Sequence, residues 1–284
     1  MAQKIAVVIL HGAGTPKEDF AEDMIKKISE GFGKKLKKEN LVFESVFWSS
    51  IFENEESKLW ERVQQGTELD YHLLRRFVVE FLADAVAYQP SSGANDNYDQ
   101  VHSLLAQCLN SIQSKAGSSA PLCVISHSLG SVVASNYFYD LQVKQENIGK
   151  STKRYSGHTP LEKGETLSLF YSMGSPLALW SLRFNDFGIP ISVPSPSIQK
   201  YYPNIDGKWL NFYDKDDILA YPLKGLNHHY QKAVTKDVEV NVGGLLTNWN
   251  PFSHIKYDID HSVIDCIVDG LVRTWHQVNR IPFS

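Results

Sequence analysis

Cysteine is scarce in this chain, since only Cys108, Cys123 and Cys266 occur among its 284 residues. An odd number of cysteines with no CxxC spacing excludes a disulfide framework and a cysteine-based zinc cluster. We therefore expect these side chains to be reduced, buried thiols, as is typical of a cytoplasmic protein.

Long apolar runs and a surplus of one charge are also absent. No stretch approaches the ~18 uninterrupted apolar residues that cross a bilayer, so no transmembrane segment is expected. The first ten residues are too short for a secretion signal and are predicted to form a strand. The 28 basic and 32 acidic side chains give a formal net charge of −4. Without a long basic run, nucleic acid is not expected as a partner.

What the sequence does contain is an alternation of short apolar runs with segments of helical periodicity. This alternation predicts a parallel sheet that is covered by helices on both faces. The predicted strands span residues 5–10, 42–48, 122–126, 167–172, 209–213 and 238–242. The predicted helices span residues 18–38, 98–115, 129–144, 176–184 and 262–278. We therefore predict an α/β fold with a mostly parallel six-stranded sheet.

Three segments interrupt the alternation and are predicted to be insertions on a single domain of residues 1–284. Residues 51–89 are expected to form a helical cap, residues 189–207 a proline-rich irregular excursion, and residues 146–164 an exposed polar loop. The cap carries an apolar stripe that either packs its helix onto the core or lines an acyl pocket as a lid. The stripe consists of Leu73, Leu74, Phe77, Val78, Phe81, Leu82 and Val86.

The strongest chemical signal is the segment around Ser128, where a predicted buried strand passes into an amphipathic helix. A serine on such a sharp turn brings the backbone two residues before it close to the backbone two residues after it, so both positions must be small. Ser126 and Gly130 meet this requirement, although the first position is more often glycine. The Leu129 N–H, at the start of the helix, is directed toward the oxygen of a bound acyl group.

On this motif, and on the order of the segments around it, the chain resembles the α/β-hydrolase superfamily and in particular its lipase- and esterase-like branch. The resemblance covers nearly the whole chain. It implies that the His11-Gly12 pair after the first strand introduces a second oxyanion donor, the N–H of Ala13. The spacing Gly12-x-Gly14 also suggests a dinucleotide fingerprint, but Lys17 occupies the third glycine position, and the second strand does not end in an acidic residue.

The same resemblance places the triad acid just after the fifth strand and the triad base before the last helix. Asp217 is the favoured acid, and Asp216 and Asp214 are its alternatives. His254 is the favoured base because its context resembles a Ser-His-x-x-Tyr run, with Tyr257 as a shaper of the loop. His261, at the expected helix start, is its alternative.

These residues predict a serine hydrolase that cleaves a carboxylic ester or thioester by acyl transfer from Ser128 to water. The substrate is expected to be a small or lipid-like ester, and the chemistry needs neither cofactor nor metal. The alternative is a non-catalytic binding module on the same fold. The sequence does not determine the oligomeric state.

Overall fold

In the computed structural model of this chain, the described residues are 2–14, 16–64, 72–90, 96–242, 254 and 256–280. They contain a six-stranded sheet in the order β2-β1-β3-β4-β5-β6 in which every neighbouring pair is parallel. The predicted parallel sheet is thus confirmed. Its strands are β1 (Ile5–Leu10), β2 (Leu41–Val46), β3 (Leu122–His127), β4 (Leu167–Met173), β5 (Lys208–Asp214) and β6 (Lys236–Val240).

The burial of each strand follows its position in the sheet. Every residue of the central strands β1 and β4 is buried, and β3 is buried up to its last residue. The edge strands β2 and β6 are only partly buried. Because successive side chains of a strand point to opposite faces of the sheet, the strands contribute side chains to two apolar cores, one on each face. Val8 and Val124 lie in one core, and Ile9 and Ile125 lie in the other.

Helices cover both faces of this sheet. The helices α1 and α9 pack against each other over one face, while α4 and α5 cover the other. Asp96 and Asp260 cap α4 and α9, because their carboxylates accept the first backbone N–H groups of those helices. The described helices are α1 (Glu22–Gly33), α2 (Glu53–Gln64), α3 (His72–Ala87), α4 (Asn97–Ala116), α5 (Leu129–Gln142), α6 (Lys150–Tyr155), α7 (Leu177–Ser181), α8 (His228–Ala233) and α9 (His261–Asn279).

None of the helices within these described ranges combines the length and the apolar character needed to cross a bilayer.

The segment 51–89 contains α2 and α3, and three residues of the predicted apolar stripe do not face the core. Val78, Leu82 and Val86 are exposed, and Val86 retains 73% of its accessible surface. Asp84 and Tyr88 are fully buried in their place. The buried positions of this segment thus include a carboxylate on α3, Asp84, and a phenol just after it, Tyr88. The side chains of Leu73, Leu74 and Phe77 lie outside the described residues.

The expectation of an exposed loop at residues 146–164 was wrong. This segment contains α6, which packs on α4. The buried carboxylate of Asp99 accepts hydrogen bonds from the N–H groups of Ser151 and Thr152. Leu161 is fully buried as well. The polar composition of this segment suggested exposure to solvent. The backbone N–H groups at the start of α6 are instead satisfied by the buried carboxylate of Asp99.

The proline-rich segment 189–207 is irregular as predicted, with a single short helical turn at Ile198–Lys200. It is nevertheless anchored in the protein, because Ile191, Val193 and Ile198 are buried.

Candidate active site

Ser128 is the single residue between β3 and α5, and its backbone conformation is one that residues other than glycine rarely adopt. Its φ of 49° and ψ of −128° lie outside the helical and extended regions. Such strain persists only where the surroundings enforce it. Here the Ser128 N–H donates to the Met173 carbonyl at 2.8 Å, which fixes the turn to the end of β4. The turn is the strained strand-to-helix elbow expected from the sequence.

Close backbone approaches explain why small residues surround Ser128. A Cβ on Gly130 would lie 2.1 Å from the His11 carbonyl oxygen, and a Cβ on Gly12 would lie 2.7 Å from the Cβ of Ser128. Only glycine allows these contacts. The loop after β1 therefore lies directly against the serine and the first turn of α5.

The three favoured residues of the predicted triad meet in one hydrogen-bonded row. His254 Nε2 lies 2.6 Å from Ser128 Oγ, and His254 Nδ1 lies 2.8 Å from Asp217 Oδ2. All three side chains are buried, with Ser128 1%, His254 4% and Asp217 5% exposed. Because the Asp217 carboxylate can only accept, Nδ1 carries the proton and the Nε2 lone pair faces the serine hydroxyl.

Asp217 is held by donors from three directions. Besides His254, the Tyr257 hydroxyl donates to Oδ2 at 2.9 Å and the Leu219 N–H donates to Oδ1 at 3.0 Å. Burial alone would raise the pKa of this carboxyl, but the donated hydrogen bonds outweigh it and the pKa lies below its ordinary value. Asp217 is thus kept as a carboxylate.

The alternatives considered from the sequence do not join this row. Asp214 accepts hydrogen bonds from the N–H groups of Val242 and Asp216, so it holds the loop after β5. Asp216 is exposed. His261 is the exposed first residue of α9.

The two predicted oxyanion donors flank Ser128. Leu129 is the first residue of α5, where backbone N–H groups have no partner inside the helix. Ala13 directly follows Gly12, the residue in contact with Ser128. Both residues therefore border the serine, Ala13 on the loop after β1 and Leu129 on the helix.

His11 fixes the shape of the loop that carries Ala13. The Trp48 N–H donates to Nε2 of His11 at 3.1 Å, so Nδ1 carries the proton and donates to the Gly12 carbonyl at 2.6 Å. The Trp48 indole N–H donates in turn to the His11 carbonyl, and the two rings stack at 4.8 Å. Burial lowers the pKa of His11 to about 4, so the ring is neutral.

Asp84 is a second support of this loop, and it comes from α3. Its Oδ2 accepts the Gly14 N–H at 2.9 Å, and the residue is fully buried. Gly14 itself has a φ of 97°, a conformation that glycine adopts readily. The sequence reasoning missed Asp84, although a lone carboxylate inside the apolar run Phe81–Ala87 was a usable signal.

His127 was missed as well. Its Nε2 donates to the His254 carbonyl at 2.5 Å, and its ring lies 4.9 Å from the ring of His254. Burial lowers the pKa of His127 to about 3, so it serves as a neutral donor. No periodicity or spacing marks this role, because the contact joins residues 127 positions apart.

No group of three or more His, Cys, Asp or Glu side chains is placed to hold a metal ion within the described ranges.

Taken together, the parallel sheet order, the helices on both faces and the strained elbow after β3 are the features of an α/β fold that the resemblance to the α/β-hydrolase superfamily implied. No protein-family model matches the chain, and no curated protein sequence matches it. Among solved structures, one from a study of two fungal esterases from Rhizomucor miehei is similar at 12% identity and a TM-score of 0.45. The similarity covers 98% of this chain and 77% of that one.

Proposed function

We propose that this protein is a serine hydrolase that cleaves a carboxylic ester or thioester by transferring the acyl group from Ser128 to water. The observation that carries the proposal is the continuous row from Ser128 Oγ through both nitrogens of His254 to Asp217, with separations of 2.6 and 2.8 Å. These separations lie within the range for direct proton transfer between a nucleophile and its base.

In the first half of the reaction, Ser128 Oγ attacks the carbonyl carbon while its proton passes to His254 Nε2. The negative charge of Asp217 stabilises the imidazolium that forms, and its hydrogen bond keeps the ring in the required tautomer. The oxyanion is held by the N–H groups of Ala13 and Leu129. His254 then protonates the leaving alcohol or thiol, which leaves an acyl group on Ser128.

In the second half, water replaces the leaving group. His254 accepts a proton from the water, whose oxygen attacks the acyl carbon, and the Ser128–acyl bond breaks when His254 returns the proton to Oγ. The released product is a carboxylic acid.

The experiment is hydrolysis of p-nitrophenyl esters and acyl thioesters of increasing chain length by the wild type and by Ser128→Ala. We expect turnover that falls by at least about 10³-fold in Ser128→Ala for every ester or thioester that is cleaved. Ser114→Ala, which removes an exposed serine of α4, is the matched control and should retain full activity. No turnover of any ester or thioester would favour the alternative, a non-catalytic binding module.

A further inference from the structure

A cavity opens on the face of the sheet covered by α4 and α5. Its volume is about 670 Å³, and its wall is formed by α5, α7, the start of α4 and residues 183–190. Neither Ser128, His254 nor Asp217 lines it. Cavities of this size are typical of small-molecule sites.

The floor of this cavity is polar and is formed by α5, most of whose residues are buried. Ser135, Asn136 and Asp140 of α5 face the cavity, and all three are nine-tenths or more buried. Aromatic rings form much of the remaining wall, among them Trp180 and Tyr230. A polar floor under aromatic walls suits a ligand with an apolar body and one polar group.

The two carboxylates of the wall are already occupied by the protein. Asp140 accepts the Tyr98 hydroxyl at 2.7 Å and the Asn147 amide at 3.0 Å, and it lies 3.6 Å from His102 Nδ1. Asp96 accepts the N–H groups at the start of α4. Neither carboxylate therefore presents a free oxygen pair to a cationic ligand.

The guanidinium of Arg183 is a cation in the wall of the same cavity. It donates to the amide oxygens of Asn136 at 3.2 Å and of Gln89 at 3.5 Å, and it lies over the Phe184 ring at 4.8 Å. Both hydrogen-bond acceptors are neutral, and within the described residues no carboxylate lies at ion-pair distance from Arg183, although the buried Asp140 of the same wall attracts its charge. A guanidinium of this kind binds carboxylates through two parallel hydrogen bonds. The other cation of the wall, Lys144, is paired with Glu146 at 3.4 Å.

We propose that this cavity is a binding site for an organic monocarboxylate, with the carboxylate on Arg183 and the apolar body against Trp180 and Tyr230. The site stands on residues other than the proposed catalytic ones, so it does not depend on the proposed function. If that function holds, the acid released from Ser128 belongs to the same chemical class and could occupy the site as product.

The test is isothermal titration of octanoate into the Ser128→Ala protein, which cannot turn over an ester. We expect saturable binding that weakens about tenfold or more in the Arg183→Gln background and less in Arg183→Lys, which keeps the charge but not the planar pair of donors. The matched control is Arg154→Gln, an exposed arginine of α6 that does not line the cavity. It should leave the affinity unchanged.

Octyltrimethylammonium serves as the probe of opposite charge, and it should bind more weakly than octanoate. Absence of octanoate binding, equal affinity in Arg183→Gln and its parent, or tighter binding of octyltrimethylammonium would each overturn the proposal. The Ser128→Ala background separates this outcome from the proposed function, because an inactive protein can still bind octanoate and an active one can fail to.

Discussion

The Tyr257 hydroxyl links the two acidic residues that end β5 and follow it. It donates to Asp217 Oδ2 at 2.9 Å and accepts the Asp214 N–H at 2.8 Å. Tyr257 is fully buried. The same Asp217 oxygen that accepts the hydrogen bond from His254 is thus held by a side chain anchored just before α9.

Replacing Tyr257 with phenylalanine removes both hydrogen bonds and leaves the ring in place. We expect the free energy of unfolding to fall by about 1–3 kcal/mol, because the buried Asp214 N–H loses its acceptor. The variant should also raise the pKa of Asp217, since one donor to the carboxylate is lost. Urea unfolding measures the first effect. Tyr221→Phe is the control, because its half-exposed hydroxyl bonds only the nearby Ile218 carbonyl, and a fall as large as that of Tyr257→Phe would contradict the account.

Asp217 and Asp216 offer a direct comparison of two neighbouring carboxylates. Asp217→Asn should lower kcat by about 10⁴-fold, because an amide in place of the carboxylate favours the wrong tautomer of His254. Asp216→Asn should stay within a few-fold of the wild type, since Asp216 is exposed. Steady-state kinetics on one p-nitrophenyl ester decides between them, and equal losses would refute the assignment of Asp217.

Asp84 tests whether α3 positions the oxyanion loop. Asp84→Ala removes the acceptor of the Gly14 N–H, and we expect kcat to fall about 10- to 100-fold with little change in KM, because the neighbouring Ala13 N–H shifts from the oxyanion. Asp84→Asn keeps an acceptor oxygen and should recover much of the loss. Val86→Ala, at an exposed position of the same helix, is the control. A change in KM alone would point to a role in substrate binding.

Three buried histidines predict how stability depends on pH. Folding lowers the pKa of His11 to about 4 and those of His102 and His127 to about 3, in each case through burial. The unfolded chain therefore binds protons first as the pH falls below 6.5. Each histidine contributes stability that is fully present above pH 6.5 and is lost progressively toward its folded pKa.

Between pH 6.5 and its folded pKa, each of these histidines should reduce the free energy of unfolding by at most about 1.4 kcal/mol for every unit by which the pH falls. The buried Asp140, whose pKa is raised, opposes the trend between its raised pKa and its ordinary value of 3.8. Urea unfolding between pH 7 and pH 4.5 measures the slope. His102→Phe should lower the slope by about one third whatever its effect on absolute stability. A pH-independent free energy would contradict the neutral state of these rings.

Much of the fold follows from local patterns in the sequence. The strand β1 begins and ends where its apolar run does, and the strands β3, β4 and β5 agree with the prediction within one residue at each end. Helix ends were less predictable. The predicted helix 18–38 forms only over Glu22–Gly33, and it ends where the N–H groups of Lys34 and Lys35 donate to carbonyls three residues earlier, those of Gly31 and Phe32.

The positions of Ser128, Asp217 and His254 relative to a strand or a helix were recognisable in the sequence. Their supports were not, because each acts across the fold. Asp84 contacts a glycine 70 residues away, and the hydroxyl of Tyr257 bonds residues 40 and 43 positions away. The contact of Asp84 with Gly14 is polar, and a count of apolar residues cannot reveal it.

The most direct test of the central claim is covalent labelling with a fluorophosphonate, followed by intact mass measurement and peptide mapping. The account predicts one adduct, located on Ser128, that is absent in Ser128→Ala, forms much more slowly in His254→Ala and forms at the wild-type rate in His261→Ala. An unlabelled wild type, an adduct that persists in Ser128→Ala, or slowing by His261→Ala in place of His254→Ala would contradict it.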